Sequence, residues 1–214
     1  MSSHDQQNNS HPQGSPLLMG KFAPDFDAPA VLSSGELGQY SLHRSIKYKY
    51  AVLFFYPLDF TFVCPSELIA LNKRIQEFHD RNVEVIGISI DSQFTHHAWQ
   101  CTPMTKGGVG PLSYPLVADI THAICRAYGV QHAEMGVAYR ATFIIDEAGI
   151  IRVQMINDLP IGRNVDEILR LVDALKHHKE HGEVCPAGWG KGDEGMEATS
   201  AGVAKYLSKH EKDL

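Results

Sequence analysis

Four cysteines are spread along the chain, at positions 64, 101, 125 and 185, and no two form a C-x-x-C pair. Cys64 has the setting best built for reactivity, inside Pro57-Leu58-Asp59-Phe60-Thr61-Phe62-Val63-Cys64-Pro65-Ser66-Glu67. An apolar run, Ala51 to Tyr56, leads in and reads as a buried strand. Leu68, Leu71, Ile75 and Phe78 then recur at helical spacing, so one helix carries the chain away. Cys64 therefore falls about where the N-cap belongs, with Pro65 at the first helical position, where a missing N–H costs nothing. A sulfur there faces free N–H groups and the positive end of the helix dipole, which favour thiolate over thiol. Thr61 can place a hydroxyl on the sulfur or on a substrate oxygen, and Pro57 can wall off water without a competing donor. Glu67 falls at N3, where it serves as a capping-box acid or holds an arginine in the pocket.

The other thiols divide. Cys185 lies in His181-Gly182-Glu183-Val184-Cys185-Pro186-Ala187-Gly188-Trp189, a stretch with little core pattern. His177, His181 and Cys185 have the i, i+4 spacing of a metal site, but Gly182 and Pro186 break that face and no second ligand cluster exists. No metal is expected. Cys101 and Cys125 fall in expected helices or at their ends and read as structural or incidental thiols.

The elements that must position Cys64 are legible in the same way. Val83 to Ile90 is a second buried strand, a helix covers Gln93 to Gln100, and Lys106 to Pro111 is a loop. Tyr114 to Asp119 is a short strand, with Thr121 capping a helix that runs to Tyr128. Ala141–Asp146 and Ile150–Ile156 alternate around Glu147-Ala148-Gly149, a hairpin signal. Asn164 caps a helix that buries Ile168, Leu171, Val172 and Leu175. Glu197 to Lys209 is helix-like. Residues 1–18 are rich in Ser, Asn, Gln, His and Pro and read as a disordered tail. The division expected is that tail, a domain over 19–182, and a C-terminal arm over 183–214.

Pro57, Thr61 and Cys64-Pro65 stand in the P-x-x-x-T-x-x-C-P pattern of the peroxiredoxins, and later segments resemble their typical two-cysteine branch. The order β-α-β-α-β-β-α, with the cysteine at the end of the first βα turn, resembles the thioredoxin-like α/β fold: a central mixed sheet flanked by helices, here with a C-terminal arm. Glu67 occupies the position of the second thioredoxin cysteine, so a local C-x-x-C disulfide cannot form. The resemblance implies that Cys64 is the peroxidatic thiol, oxidised to a sulfenic acid by hydrogen peroxide or organic hydroperoxides. It implies that Arg140 supports that thiolate, and that Arg152, aligned with a second family arginine, braces Glu67. Val184-Cys185-Pro186-Ala187-Gly188-Trp189 resembles the resolving motif, which implies condensation of Cys185 with Cys64 of another subunit. A homodimer, and in this branch commonly a ring decamer, follows by the same resemblance. Gly107-Gly108-Val109-Gly110 resembles the G-G-L-G loop of overoxidation-sensitive members, whose usual partner is a Tyr-Phe pair. Here that place holds Tyr206-Leu207, and intermediate sensitivity is expected.

With 214 residues, 43% of them hydrophobic, the chain can fill one full core. A net charge of −6 without a basic stripe argues against nucleic acid, and no apolar run is long enough to span a bilayer. The N-terminus lacks a secretory pattern, so a cytoplasmic location is expected. No haem ligand arrangement, flavin fold or nucleotide loop is readable, and Gly188 to Gly192 lacks Walker spacing; the thiol is expected to act without a cofactor. The electron donor implied is thioredoxin or a flavoprotein disulfide reductase. Two other readings stand beside the peroxidase: a ring-forming holdase or redox-signalling binder, and a protein disulfide oxidoreductase, against which the absent C-x-x-C counts.

Overall fold

The computed structural model describes residues 17–211. The strands are β1 (Asp27–Val31), β2 (Leu37–Ser41), β3 (Tyr50–Phe55), β4 (Val83–Ser89), β5 (Leu116–Ala118), β6 (Arg140–Ile145) and β7 (Ile151–Asn157). The helices are α1 (Leu42–Ser45), α2 (Cys64–Lys73), α3 (Ile75–His79), α4 (Gln93–Cys101), α5 (Ala123–Ala127), α6 (Val165–His181) and α7 (Ser200–His210). The strands form one mixed sheet in the order β2-β1-β5-β4-β3-β6-β7. β3 pairs parallel with β4 and antiparallel with β6.

Every residue of β3 is buried, as expected of a central strand covered on both faces. Its side chains alternate between two cores. Ala51, Leu53 and Phe55 join Ile124, Tyr128 and Phe143 on one side. Val52 and Phe54 join Leu68, Leu71, Phe78, Trp99, Ile168 and Val172, so α2, α3, α4 and α6 cover the other. This sandwich fixes the end of β3, and with it the start of α2.

The structure differs from the sequence reading at several places. The short strand and helix expected from Tyr114 to Tyr128 are β5 and α5, and the β1–β2 pair adds two strands ahead of the expected β-α-β-α-β-β-α order. The helix expected over Leu68 to Phe78 is two helices, because at Arg74 the backbone tightens into i→i+3 bonds to Leu71 and from Glu77. Thr121 does not cap α5; His122 takes a left-handed φ of 59°, and the Asp119 carboxylate accepts from the N–H groups of Ile124 and Cys125 at 3.0 and 2.7 Å. Asn164 does cap α6, accepting from the Asp166 N–H. At the start of the described chain Leu18 packs in the core and Gly20 donates to the Ile151 carbonyl. The rest of the expected tail, 1–16, lies outside the described residues.

Gly182 ends α6 in the left-handed conformation, with φ 70°, and the chain folds back along the helix. Val184 bridges Met196, Trp189 is buried against the His177 ring, and Arg170 of α6 donates to the Trp189 carbonyl at 2.9 Å. No helix among the described residues is long and apolar enough to cross a membrane.

Candidate active site

Cys64 is the first residue of α2, one place further in than the N-cap expected for it, and Pro65 follows in that first turn. The N-cap is Val63, which brings no side-chain oxygen to the first-turn N–H groups. The cysteine is wholly buried. Thr61 Oγ1 lies 3.0 Å from its sulfur and 2.7 Å from the Leu58 carbonyl oxygen. One hydroxyl hydrogen cannot serve both. A carbonyl and a thiolate can each only accept, so the hydroxyl supports the sulfur when its hydrogen points there, and turns a lone pair to the sulfur side when the hydrogen is on Leu58. Pro57 is buried at the end of β3.

Arg140 reaches the sulfur from the other side. It opens β6, opposite Asn157 of β7, and is buried. One terminal nitrogen lies 3.4 Å from Cys64 Sγ and 2.8 Å from Glu67 Oε2, while Nε donates to the Leu159 carbonyl at 2.6 Å. The guanidinium is thus fixed at three points.

Glu67 is one turn into α2 and turns inward, so it is no capping-box acid. It meets two arginines. The second is Arg163, whose Nε and backbone N–H both donate to Oε1, at 2.9 and 2.8 Å, and whose Nη2 donates to Oε2 at 3.1 Å. Arg163 also lies over the Phe54 ring and donates to the Ala141 carbonyl. Burial pulls its guanidinium below the ordinary range, and the Glu67 hydrogen bonds pull it back. Two buried cations against one carboxylate leave a positive charge over, and the Cys64 sulfur is the group that faces it.

Arg152 does not brace Glu67. It is half-exposed on β7 and donates to Asp146 Oδ2 at 2.7 Å, at the far end of the hairpin. Arg163 fills the role assigned to it. The topology carried the signal: β6 runs antiparallel to β3 and β7 returns alongside, so the loop after β7 arrives at the edge where β3 delivers Cys64. Gly162 lets that loop approach, since a Cβ there would stand 3.3 Å from Val63 Cγ1.

Cys185 is elsewhere. Half-buried, it lies over α6 with its sulfur 3.5 Å from the Ala174 carbonyl, at a cavity of about 320 Å³ lined by Val153, Leu171, Leu175 and His178. Both thiols are free. Burial pushes the Cys185 thiol up, Arg170 pulls it down, and Glu183 adds to the rise. Of the remaining cysteines, Cys101 is exposed beside His97, and Cys125 is buried with its thiol pushed up by burial and by Asp119. The 107–110 loop lies against Trp99, whose Nε1 donates to the Gly107 carbonyl at 2.8 Å, and Val109 is buried. Tyr206 stacks on His210 in α7, beside Glu183 and Met196, and Leu207 is about half-exposed. Among the described residues, no hydrogen bond or ring contact joins that pair to the loop.

Comparison with known proteins supplies the family. The AhpC/TSA family model matches residues 19–154, and the model for the C-terminal domain of 1-Cys peroxiredoxin matches residues 174–209. Alkyl hydroperoxide reductase C of Helicobacter pylori (strain J99 / ATCC 700824) is 53% identical, over 91% of this chain and 98% of its own length. Peroxiredoxin-2 of Bos taurus is 52% identical, over 90% of this chain and 96% of its own. The reduced 2-Cys peroxiredoxin of Plasmodium vivax superposes with a TM-score of 0.88 at 50% identity, covering 90% of this chain and all of that one.

Proposed function

The chain belongs to the AhpC/TSA family and is a thiol peroxidase, and we propose that its cycle runs through Cys64 as the oxidised thiol and Cys185 as the resolving one. The observation that supports this most directly is the sulfur of Cys64 held between the Thr61 hydroxyl at 3.0 Å and the Arg140 guanidinium at 3.4 Å.

In the first step the Cys64 thiolate attacks the nearer oxygen of a hydroperoxide, forming an S–O bond as the O–O bond breaks. Thr61, its own hydrogen engaged by Leu58, accepts the hydrogen of the attacked O–H and so aligns the peroxide. Charge grows on the departing oxygen, where Arg140 stands as a fixed donor that stays protonated at any working pH. That oxygen takes up a proton and leaves as water or an alcohol, and Cys64 becomes a sulfenic acid.

In the second step a Cys185 thiolate attacks the sulfenic sulfur and a disulfide forms as the S–O bond breaks; the departing hydroxide takes up a proton from solvent and leaves as water. Cys185 of the same chain packs on α6, away from Cys64. That separation supports attack by the arm of a second copy, hence a homodimer, with rings of such dimers, up to a decamer, as the larger assembly this reading includes. A dithiol donor, thioredoxin or a flavoprotein disulfide reductase, then reduces the disulfide. Four free cysteines suit a reducing compartment such as the cytoplasm.

Peroxide consumption driven by thioredoxin and its reductase tests the reading. Cys64→Ser is expected to be inert, whereas Cys185→Ser consumes one equivalent of peroxide and then stops. Steady turnover by Cys64→Ser would overturn it. A disulfide-linked dimer band after peroxide, lost in Cys185→Ser, checks the resolving step separately.

A further inference from the structure

The segment 57–63 joins β3 to Cys64, and its backbone is strained. Phe60 has φ 54°, in the left-handed region that a bulky aromatic side chain occupies only when its surroundings impose it. The surroundings here are specific. The preceding residue, Asp59, is almost fully buried and held at both ends. Its N–H donates to Asp91 Oδ2 at 2.9 Å, and Ser89 Oγ donates to the same oxygen at 2.7 Å. Its carboxylate accepts from the Tyr56 hydroxyl at 2.8 Å and meets His96 Nδ1 at 2.8 Å.

His96, wholly buried on α4, has its Nε2 3.3 Å from the Val117 carbonyl of β5. That carbonyl can only accept, so Nε2 carries a hydrogen, and a proton lies between Nδ1 and the Asp59 carboxylate. A cation among Asp59, Asp91 and His96 would displace the hydrogens that satisfy this carboxylate. The residue on the other side of Phe60 is Thr61, the one whose hydroxyl faces the Cys64 sulfur. The Phe60 ring itself lies 5.7 Å from that of Trp99.

We propose that the Asp59–His96 pair is a positioning clamp: anchored to α4 and β5, it holds the strained loop so that Thr61 meets the sulfur, and its hold governs how readily the loop unwinds to pass the sulfenic acid to Cys185. The proposal rests on the two-step cycle above. Neither residue touches the peroxide. The clamp therefore acts oppositely on the two steps, favouring oxidation of Cys64 and slowing disulfide formation.

The test measures the two steps separately in the full chain by rapid mixing with hydrogen peroxide. His96→Leu removes the clamp, and oxidation of Cys64 is expected to slow by about a hundredfold, the usual penalty for ångström-scale misplacement. Disulfide formation in the same variant is expected to become faster, and hydrogen exchange over 57–66 to quicken while β3 and β4 stay protected. His96→Asn, whose amide can donate from the place of Nδ1, is expected to restore most of the oxidation rate. Should His96→Leu fail to fold, Asp59→Ala reads the same split from the loop side. Unchanged rates, a parallel fall in both, or an Asn variant no better than Leu would overturn the clamp. A wild-type Cys64 unreactive toward peroxide would instead sink the cycle on which the clamp rests.

Discussion

Glu67 and Arg163, 96 positions apart in sequence, are joined by three hydrogen bonds, two to one carboxylate oxygen and one to the other. Arg140 adds a fourth, so a single buried carboxylate fixes the guanidinium that faces the sulfur and the loop that covers it. The site is therefore a buried charge network that spans α2, β6 and the loop before α6.

Glu67→Ala tests how far the fold depends on that carboxylate. The substitution leaves two buried guanidinium groups without their counter-charge, and breaking a buried pair in this way typically costs about 3–5 kcal/mol. Denaturant titration is expected to show a loss of that order in the variant, with Glu67→Gln intermediate. A loss under about 1 kcal/mol would mean that water or another anion already compensates the arginines.

Arg140→Lys separates charge from geometry. A lysine keeps the positive charge but cannot span the Leu159 carbonyl, Glu67 and the sulfur from one planar fork. The second-order rate of Cys64 oxidation is expected to fall by roughly 10²–10³, the range seen when one fixed transition-state donor is lost. Disulfide formation from sulfenic acid already made should change little, so sequential mixing distinguishes a lost donor from a collapsed site.

Local pattern made much of this arrangement readable. The uninterrupted run Ala51 to Tyr56 declared a strand buried on both faces, and Thr61, Cys64 and Pro65 declared the junction, because both depend on neighbours in sequence. Arg163 was not readable that way. Its partner Glu67 is brought to it only by the antiparallel return of β6 and β7, and an arginine next to an expected N-cap has no local signature. Arg152 was matched to Glu67 by the family resemblance alone, and its place on β7 beside the hairpin turn ties it to Asp146 instead. The break at Arg74 and the Asp119 cap of α5 likewise depend on backbone geometry that apolar periodicity does not encode. Asp59 and His96 joined no sequence pattern, since their meeting needs β3, α4 and β5 already assembled.

The pH dependence of the resolving step follows from the Cys185 setting. Burial raises its thiol above the ordinary cysteine value, with Arg170 opposing and Glu183 adding to the rise. At working pH the thiol is mostly protonated, so the attacking thiolate is a minority that grows as pH rises. The rate of disulfide formation is expected to climb about tenfold per pH unit and to level only above the ordinary value of about 8.5. Arg170→Gln should move that rising limb to higher pH and Glu183→Gln to lower. The same sign governs docking of the arm: a raised thiol stabilises the folded arm below its unfolded value, and that contribution is lost as pH rises through the folded one. A rate that levels below pH 8 would contradict this setting.

Overoxidation should depend on the 107–110 loop through Trp99. Gly107 is left-handed at φ 83°, Trp99 donates to its carbonyl, and a Cβ on Gly108 would overlap the Thr102 carbonyl. Gly108→Ala must therefore shift the loop off Thr102, which disturbs the Trp99–Gly107 bond and with it the surface on which Phe60 rests beside Cys64. A looser loop unwinds sooner, so less sulfenic acid survives to meet a second peroxide and become sulfinic acid. Mass spectrometry of the Cys64 peptide across a peroxide titration is expected to show the two-oxygen product only at higher peroxide in Gly108→Ala than in wild type. Leu207→Phe tests the tail in the opposite direction. Leu207 is about half-exposed in its own chain, so an aromatic there has surface to bury against a second copy, and sulfinic acid should then form at lower peroxide. If wild type forms no sulfinic acid at any peroxide concentration, neither the loop nor the tail restrains Cys64 in the way their positions suggest.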